Sequence, residues 1–168
     1  VTNSGSGALI KAGGVGLFMD AEGEVTNRDG ARIVAGAEGI VMNYGGNVTN
    51  ASGATIDSDV TGVVIWDYGT VTNKGAGSAI RSTGNVAVDF SPYDFNGPFR
   101  LENLDGALVD AGYAGVRFIG SGSVLNSGSG STISANSYGV FLEEEPGEFV
   151  NENGAHIRSR HGSGAVFY

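Results

Sequence analysis

Short runs of alternating apolar and polar residues fill this chain, and the same runs return in the same order. One set reads Gly23-Glu24-Val25-Thr26-Asn27, then Ala31-Arg32-Ile33, then Gly39-Ile40-Val41-Met42. Alternation over three to six residues, bounded by glycine, predicts strands, and no segment has the length or the 3.6-residue period of an amphipathic helix. The first run of each set is headed by Val1-Thr2-Asn3, Val25-Thr26-Asn27, Val48-Thr49-Asn50, Val71-Thr72-Asn73, Leu101-Glu102-Asn103, Val124-Leu125-Asn126 or Phe149-Val150-Asn151. Start-to-start spacings are 24, 23, 23, 30, 23 and 25 residues. A fixed period of that size marks stacked supersecondary units. It is too short for a propeller blade, lacks leucine-rich spacing and is not a clean multiple of six. The expectation is an all-β, right-handed parallel β-helix (solenoid) of about seven coils, with three short strands per coil, the handedness following the general rule for parallel crossovers. Residues 1–168 read as a single solenoid domain, a fragment of a longer repeat array, interrupted by a loop insertion at 89–99.

Alternation places the first residue and the asparagine of each heading tripeptide inside and the middle residue outside. Asn3, Asn27, Asn50, Asn73, Asn103, Asn126 and Asn151 are then expected to stack as a structural amide ladder, which satisfies polar groups that would be costly to bury alone. A second column, Gly16, Gly39, Gly62, Asn85, Gly115, Gly139 and Gly164, reads as a corner with positive φ, because glycine and asparagine tolerate that conformation.

Composition narrows the function. Glycine supplies 30 of 168 residues, cysteine none, and the net charge is −9. The acidity argues against nucleic acid and anionic membrane surfaces as partners. No apolar run approaches the length of a spanning helix, so no direct membrane insertion is expected. Without cysteine there is no disulfide framework and no thiol chemistry. No glycine-rich phosphate loop and no calcium-binding nonapeptide repeat occur, and no cofactor or metal is expected.

The runs Gly46-Asn47-Val48-Thr49-Asn50-Ala51-Ser52-Gly53-Ala54-Thr55-Ile56 and Gly62-Val63-Val64-Ile65 resemble the repeats of bacterial autotransporter (type V secretion) passenger domains, the pertactin-like β-helical adhesins. Those repeats follow Gly-x-Val-Thr-Asn-x-Gly-x-Ile and Gly-Val-x-Leu, and the likeness covers all seven coils apart from 89–99. The resemblance implies a right-handed β-helix exported through an outer-membrane barrel and displayed on the bacterial cell surface, as an adhesin or self-associating stalk. Related passengers carry protease or lipase domains; this chain has no such insert and no barrel.

Function on such a rod has three candidate places. The outward column of the third strand reads Phe18, Val41, Val64, Ala87, Arg117, Phe141 and Val166, six of seven apolar. A contiguous apolar stripe marks an interaction surface, here for lateral or end-to-end self-association; alternatively, loops fold over it or a parallel strand carries apolar residues on both sides. The 89–99 insertion holds Tyr93, Phe95 and Phe99, suited to docking a host or surface glycan or protein, or to burying its own rings. The third place is chemical. Asp57, Arg81 and Asp110 fall on successive second strands, with Asp59 nearby, and the combination suits a β-helix polysaccharide lyase; a surface ion-pair ladder gives the same pattern. His156 and His161 pair with no nucleophile at any motif spacing, and the outward threonines Thr2, Thr26, Thr49 and Thr72 give way to Glu102, Leu125 and Val150, too broken for a flat ice-binding face. The sequence therefore reads as an extracellular adhesin or stalk that acts by contact and is not an enzyme, with a lyase or a passive spacer as the alternatives.

Overall fold

Glycine-bounded alternation produces strands here, and the repeat decides how they pair. The computed structural model describes residues 1–91, 98–143 and 147–168. The first coil holds β1 (Thr2–Ser4), β2 (Leu9–Ala12) and β3 (Leu17–Met19). The second holds β4 (Gly23–Arg28), β5 (Arg32–Ala35) and β6 (Ile40–Met42), and the third β7 (Gly46–Ala51), β8 (Thr55–Ser58) and β9 (Val63–Ile65). Then follow β10 (Gly69–Lys74), β11 (Ala79–Ser82) and β12 (Val86–Phe90), and in the fifth coil β13 (Phe99–Leu104), β14 (Leu108–Ala111) and β15 (Ala114–Ile119). The last two coils hold β16 (Gly122–Ser127), β17 (Thr132–Ala135), β18 (Tyr138–Glu143), β19 (Glu148–Glu152), β20 (His156–Ser159) and β21 (Ser163–Phe167). First strands pair only with first strands, second with second and third with third, giving three parallel seven-stranded sheets. The fold is a β-solenoid of seven coils.

Equivalent residues lie one above another. Val25, Val48, Val71, Leu101 and Val124 form one inward column, Ile33, Ile56, Ile80, Val109 and Ile133 a second, and Ile40, Val63, Val88, Val116 and Val140 a third. These columns form one continuous core. The third coil alone buries Val48, Ile56, Val63 and Ile65, each worth about 1.5–3 kcal/mol. Near its middle the core turns aromatic: Phe90 stacks on Phe118 at 4.7 Å and meets Phe99 at 4.9 Å.

The asparagines form a one-way ladder. Nδ2 of Asn3 donates to Oδ1 of Asn27 at 2.9 Å, and the same bond repeats through Asn50, Asn73, Asn103 and Asn126 to Asn151 at 2.8–2.9 Å. The same nitrogens also donate to turn carbonyls; Asn50, for example, reaches Ala54 O at 2.9 Å and Ala79 O at 3.1 Å. Among the described residues no buried side-chain nitrogen or oxygen lacks a partner.

The two glycine columns have different causes. After each asparagine, Gly5, Gly30, Gly53, Gly75, Gly106, Gly128 and Gly154 all take positive φ, and Asp29, Ser52, Asp105 and Asn153 share that conformation just ahead of four of them. The column at the third corner does not, contrary to the expectation from sequence: Gly16, Gly39, Gly62, Gly115, Gly139 and Gly164 are not among the positive-φ residues. Close stacking demands glycine there instead. A Cβ on Gly16 would stand 2.6 Å from the carbonyl oxygen of Gly39, the oxygen that accepts the Leu17 N–H at 3.0 Å. The fourth coil also departs from the expected alignment. Ala87, and not Asn85, presents its carbonyl against Gly62, so the column above Val64 continues with Asp89.

Candidate functional site

The outer face of the third sheet gathers most of what the sequence left unexplained, and it divides into three zones. In the first three coils Phe18, Val41 and Val64 stack in register. With Val15, Glu38 and Trp66 they line a shallow groove of about 270 Å³. Phe18 is 59% exposed, whereas Val41 at 9% and Val64 at 7% form the groove's floor, so the stripe offers less open surface than alternation implies. Strand stacking covers a valine between two neighbouring coils.

In the middle zone the stripe is interrupted. Asp89 takes the outward position that sequence alignment gave to Ala87, and Ala87 is fully buried. Arg117 grips Asp89 with two parallel bonds, Nε to Oδ1 at 2.8 Å and Nη2 to Oδ2 at 2.6 Å, while Ser91 bonds Oδ1 at 3.0 Å. This pair is the most buried of the ion pairs among the described residues. The hydrogen bond to Asp89 raises the Arg117 pKa above its usual value, against the opposing effect of burial. The bidentate geometry pairs the guanidinium charge with Asp89 and fixes the side chain's direction.

The third zone is aromatic. Phe141 and Val166 continue the column beyond Arg117, and Phe141 packs on the buried outward residues Val86 and Ala114. Around it stand Tyr138, with ring centroids 5.0 Å apart, Tyr168 at 5.7 Å and Tyr113 at 6.5 Å. With Glu143 these rings line an open groove of about 620 Å³.

The charged column of the second sheet resolves into separate ion pairs. Asp57, Arg81 and Asp110 do lie on successive coils. Arg81 Nη1 meets Asp57 Oδ1 at 3.1 Å, with Arg32 at 3.8 Å from the other oxygen and Thr55 donating to it at 2.8 Å. Asp110 is instead held by Arg160 of the last coil at 2.8 and 3.1 Å and by the Ser134 hydroxyl at 2.5 Å. Among the described residues no three acidic or histidine side chains converge as metal ligands.

No family model, curated protein or solved structure matches this chain.

The 89–99 insertion is smaller than its sequence suggests. Asp89 and Phe90 belong to β12, and Phe99 opens β13, 1% exposed, in the aromatic part of the core. Phe99 is thus a core residue and not part of a binding loop. It stands in register between Gly69 and Gly122, and a Cβ on Gly122 would collide with the ring of Phe118. Tyr93 and Phe95 lie outside the described residues.

Sequence reasoning passed over Tyr113, Tyr138 and Glu143. Tyr113 stands at a corner, Tyr138 opens its strand and Glu143 closes it, so the three occupy different positions of the repeat. The available signal was compositional: three of the six tyrosines fall at third corners or third-strand ends of coils five to seven.

Proposed function

We propose that this chain is part of a bacterial autotransporter passenger, a β-helical stalk displayed at the cell surface that acts by adhesion and self-association. The observation that carries the reading is the outer face of the third sheet. Its apolar and aromatic side chains run in register along the rod in two patches, while Asp57, Arg81 and Asp110 of the second sheet are each held in an ion pair. A lyase of this kind needs clustered carboxylates and a basic residue free to take a proton; here Arg81 is paired with Asp57 and Asp110 with Arg160, and contact rather than catalysis fits the chain.

Self-association is tested at the exposed end of the stripe. Val41 and Val64 are floor residues, and a charge there would damage the fold; Phe18 and Val15 are the accessible positions. Sedimentation velocity over a wide concentration range should show species larger than the monomer, lost in Phe18→Lys with Val15→Lys. Equal charge on each copy opposes close approach, so association should strengthen as salt screens it. Association unchanged in the double variant removes this face from the account.

A further inference from the structure

We infer that the aromatic groove of coils five to seven, lined by Tyr113, Tyr138, Phe141, Glu143 and Tyr168, is a binding site for uncharged glycan chains. The inference rests on the reading of this outer face as a contact surface and names what its distal half contacts. The rings form a strip and not a box. Tyr113 meets Tyr138 edge-on at 5.5 Å and 87°, Tyr138 lies at 32° to Phe141, and Tyr168 meets Phe141 at 68°. Their inner sides are occupied by one another, which leaves outward faces and edges for a ligand.

Phe141 is fixed as a floor by Val86 and Ala114, while Tyr113 and Tyr168 remain exposed. Tyrosine on a rigid sheet presents a large amphipathic surface at small entropic cost. A pyranose ring matches such a strip: its C–H face stacks on an aromatic ring and its hydroxyls reach phenol oxygens and a carboxylate. The coils rise by roughly 4.8 Å, comparable to the length of one sugar unit, so a glycan lying along the rod meets equivalent heights of the strip unit by unit.

Charge selects among glycans. The cation beside the strip, Arg117, is consumed by Asp89 and Ser91, and Glu143 lines the groove. Carboxylated and sulfated sugars therefore meet a carboxylate beside a cation already paired with Asp89, within a chain of net charge −9. A volume of about 620 Å³ falls in the ordinary range of small-ligand sites.

The test is a titration of the intact chain, followed by tyrosine-ring NMR shifts, with chitotriose, cellotriose and maltotriose as neutral probes and trigalacturonate as the anionic control. At least one neutral trisaccharide should shift ring signals at saturable concentrations. Binding should weaken about tenfold in Tyr168→Ala, a 77%-exposed position whose loss leaves the core intact, in keeping with one stacked ring. Glu143→Gln should relieve the exclusion of trigalacturonate. The inference is overturned if no neutral trisaccharide shifts the rings, if binding survives Tyr113→Ser with Tyr168→Ala, or if trigalacturonate binds more tightly than all three neutral probes. Phe18 lies at the other end of the face, so titrating the Phe18→Lys chain separates the two ideas. Glycan binding without self-association refutes only the first-coil contact, and association without glycan binding refutes only this site.

Discussion

Replacing Asn50 by alanine removes one rung from the middle of the amide ladder. The Asn50 side chain donates to Asn73 Oδ1 at 2.9 Å, Ala54 O at 2.9 Å and Ala79 O at 3.1 Å, and accepts from Asn27 at 2.8 Å. Ala54 O keeps the Ala79 N–H, and Asn27 keeps Thr55 O. Asn73 Oδ1 loses the donor from the coil below while buried, which costs about 1–3 kcal/mol. Nδ2 has two hydrogens for its three acceptors, so the other losses amount to two bonds of about 0.5–1.5 kcal/mol each, and the total is about 2–6 kcal/mol. The isosteric Asn50→Asp change should cost more near neutral pH, because its carboxylate faces three acceptors that only a donor satisfies. Burial raises the folded-state pKa of that carboxyl above its unfolded value of about 3.9. The penalty of ionisation is therefore absent below about pH 4 and grows as the pH rises toward neutrality. Urea unfolding followed by circular dichroism reads the loss, and hydrogen exchange in β7 and β10 shows whether the stack opens there, since repeat arrays need not unfold in one step. A cost for Asn50→Ala no greater than for the outward Thr49→Ala would refute the ladder as a source of stability. An Asn50→Asp stability that does not improve on acidification would refute its direction.

Three further outcomes follow from the same geometry. Gly115→Ala sets a Cβ 2.6 Å from Gly139 O and 2.7 Å from Ile133 Cγ2 and should cost about 1–3 kcal/mol, whereas Gly53→Ala meets nothing within 4 Å at φ +76 and should cost only left-handed strain of about 1–2 kcal/mol; a Gly115→Ala unfolding midpoint above that of Gly53→Ala would reverse the argument. Asp89→Ala strands the Arg117 guanidinium and should cost about 2–3 kcal/mol, yet Asp89→Val with Arg117→Val, which extends the apolar column, should recover most of it; a double variant as unstable as the single one argues against this. The Tyr68 hydroxyl donates to the Glu22 carboxylate, which holds its pKa above the ordinary phenol value. The stabilising effect is thus complete below about pH 10 and lost as the pH climbs through the raised value. Tyrosinate absorbance, taken as the difference between the parent and Tyr68→Phe, should move to lower pH in Glu22→Gln.

The repeat made the coils, the three sheets and the inward columns legible, because a period of two inside a period of about 23 leaves one consistent register. Two details escaped for physical reasons. Glycine at the third corner suggests positive φ when the sequence is read alone, but it can equally record that another backbone passes too close for a Cβ. Only stacking distinguishes the causes, and the wrong cause made Asn85 look equivalent to glycine. In fact Ala87 holds that corner, one residue having been added between Ser82 and the corner relative to the Ser58-to-Gly62 stretch. The misplaced corner put Ala87 on the outward column and hid Asp89. The buried ion pair with Arg117 was invisible for that reason alone. Phe99 escaped in a different way. It stands where other coils have Gly46, Gly69 or Gly122, and a phenylalanine in a glycine position beside prolines reads as loop until the adjacent ring of Phe90 is seen.

The split between what was legible and what was not follows from where the repeat exerts constraint. Inward positions must match the coil above and below in size and bonding, so valine, isoleucine and asparagine recur and the sequence displays the core as columns. Outward positions point away from the stacked core, and the same column holds Phe18, Val64, Asp89, Arg117 and Phe141 without damage to the stack. Specificity on a solenoid is therefore written across columns as well as along them. Tyr113 and Tyr138 meet because a corner of one coil lies beside a strand start of the next, a relation that no alignment of repeat units contains. A groove of this kind can change its side chains while the ladder and the core stay fixed, and the outer face of the third sheet, with its apolar floor, its ion pair and its aromatic strip, is where this rod departs furthest from its own repeat.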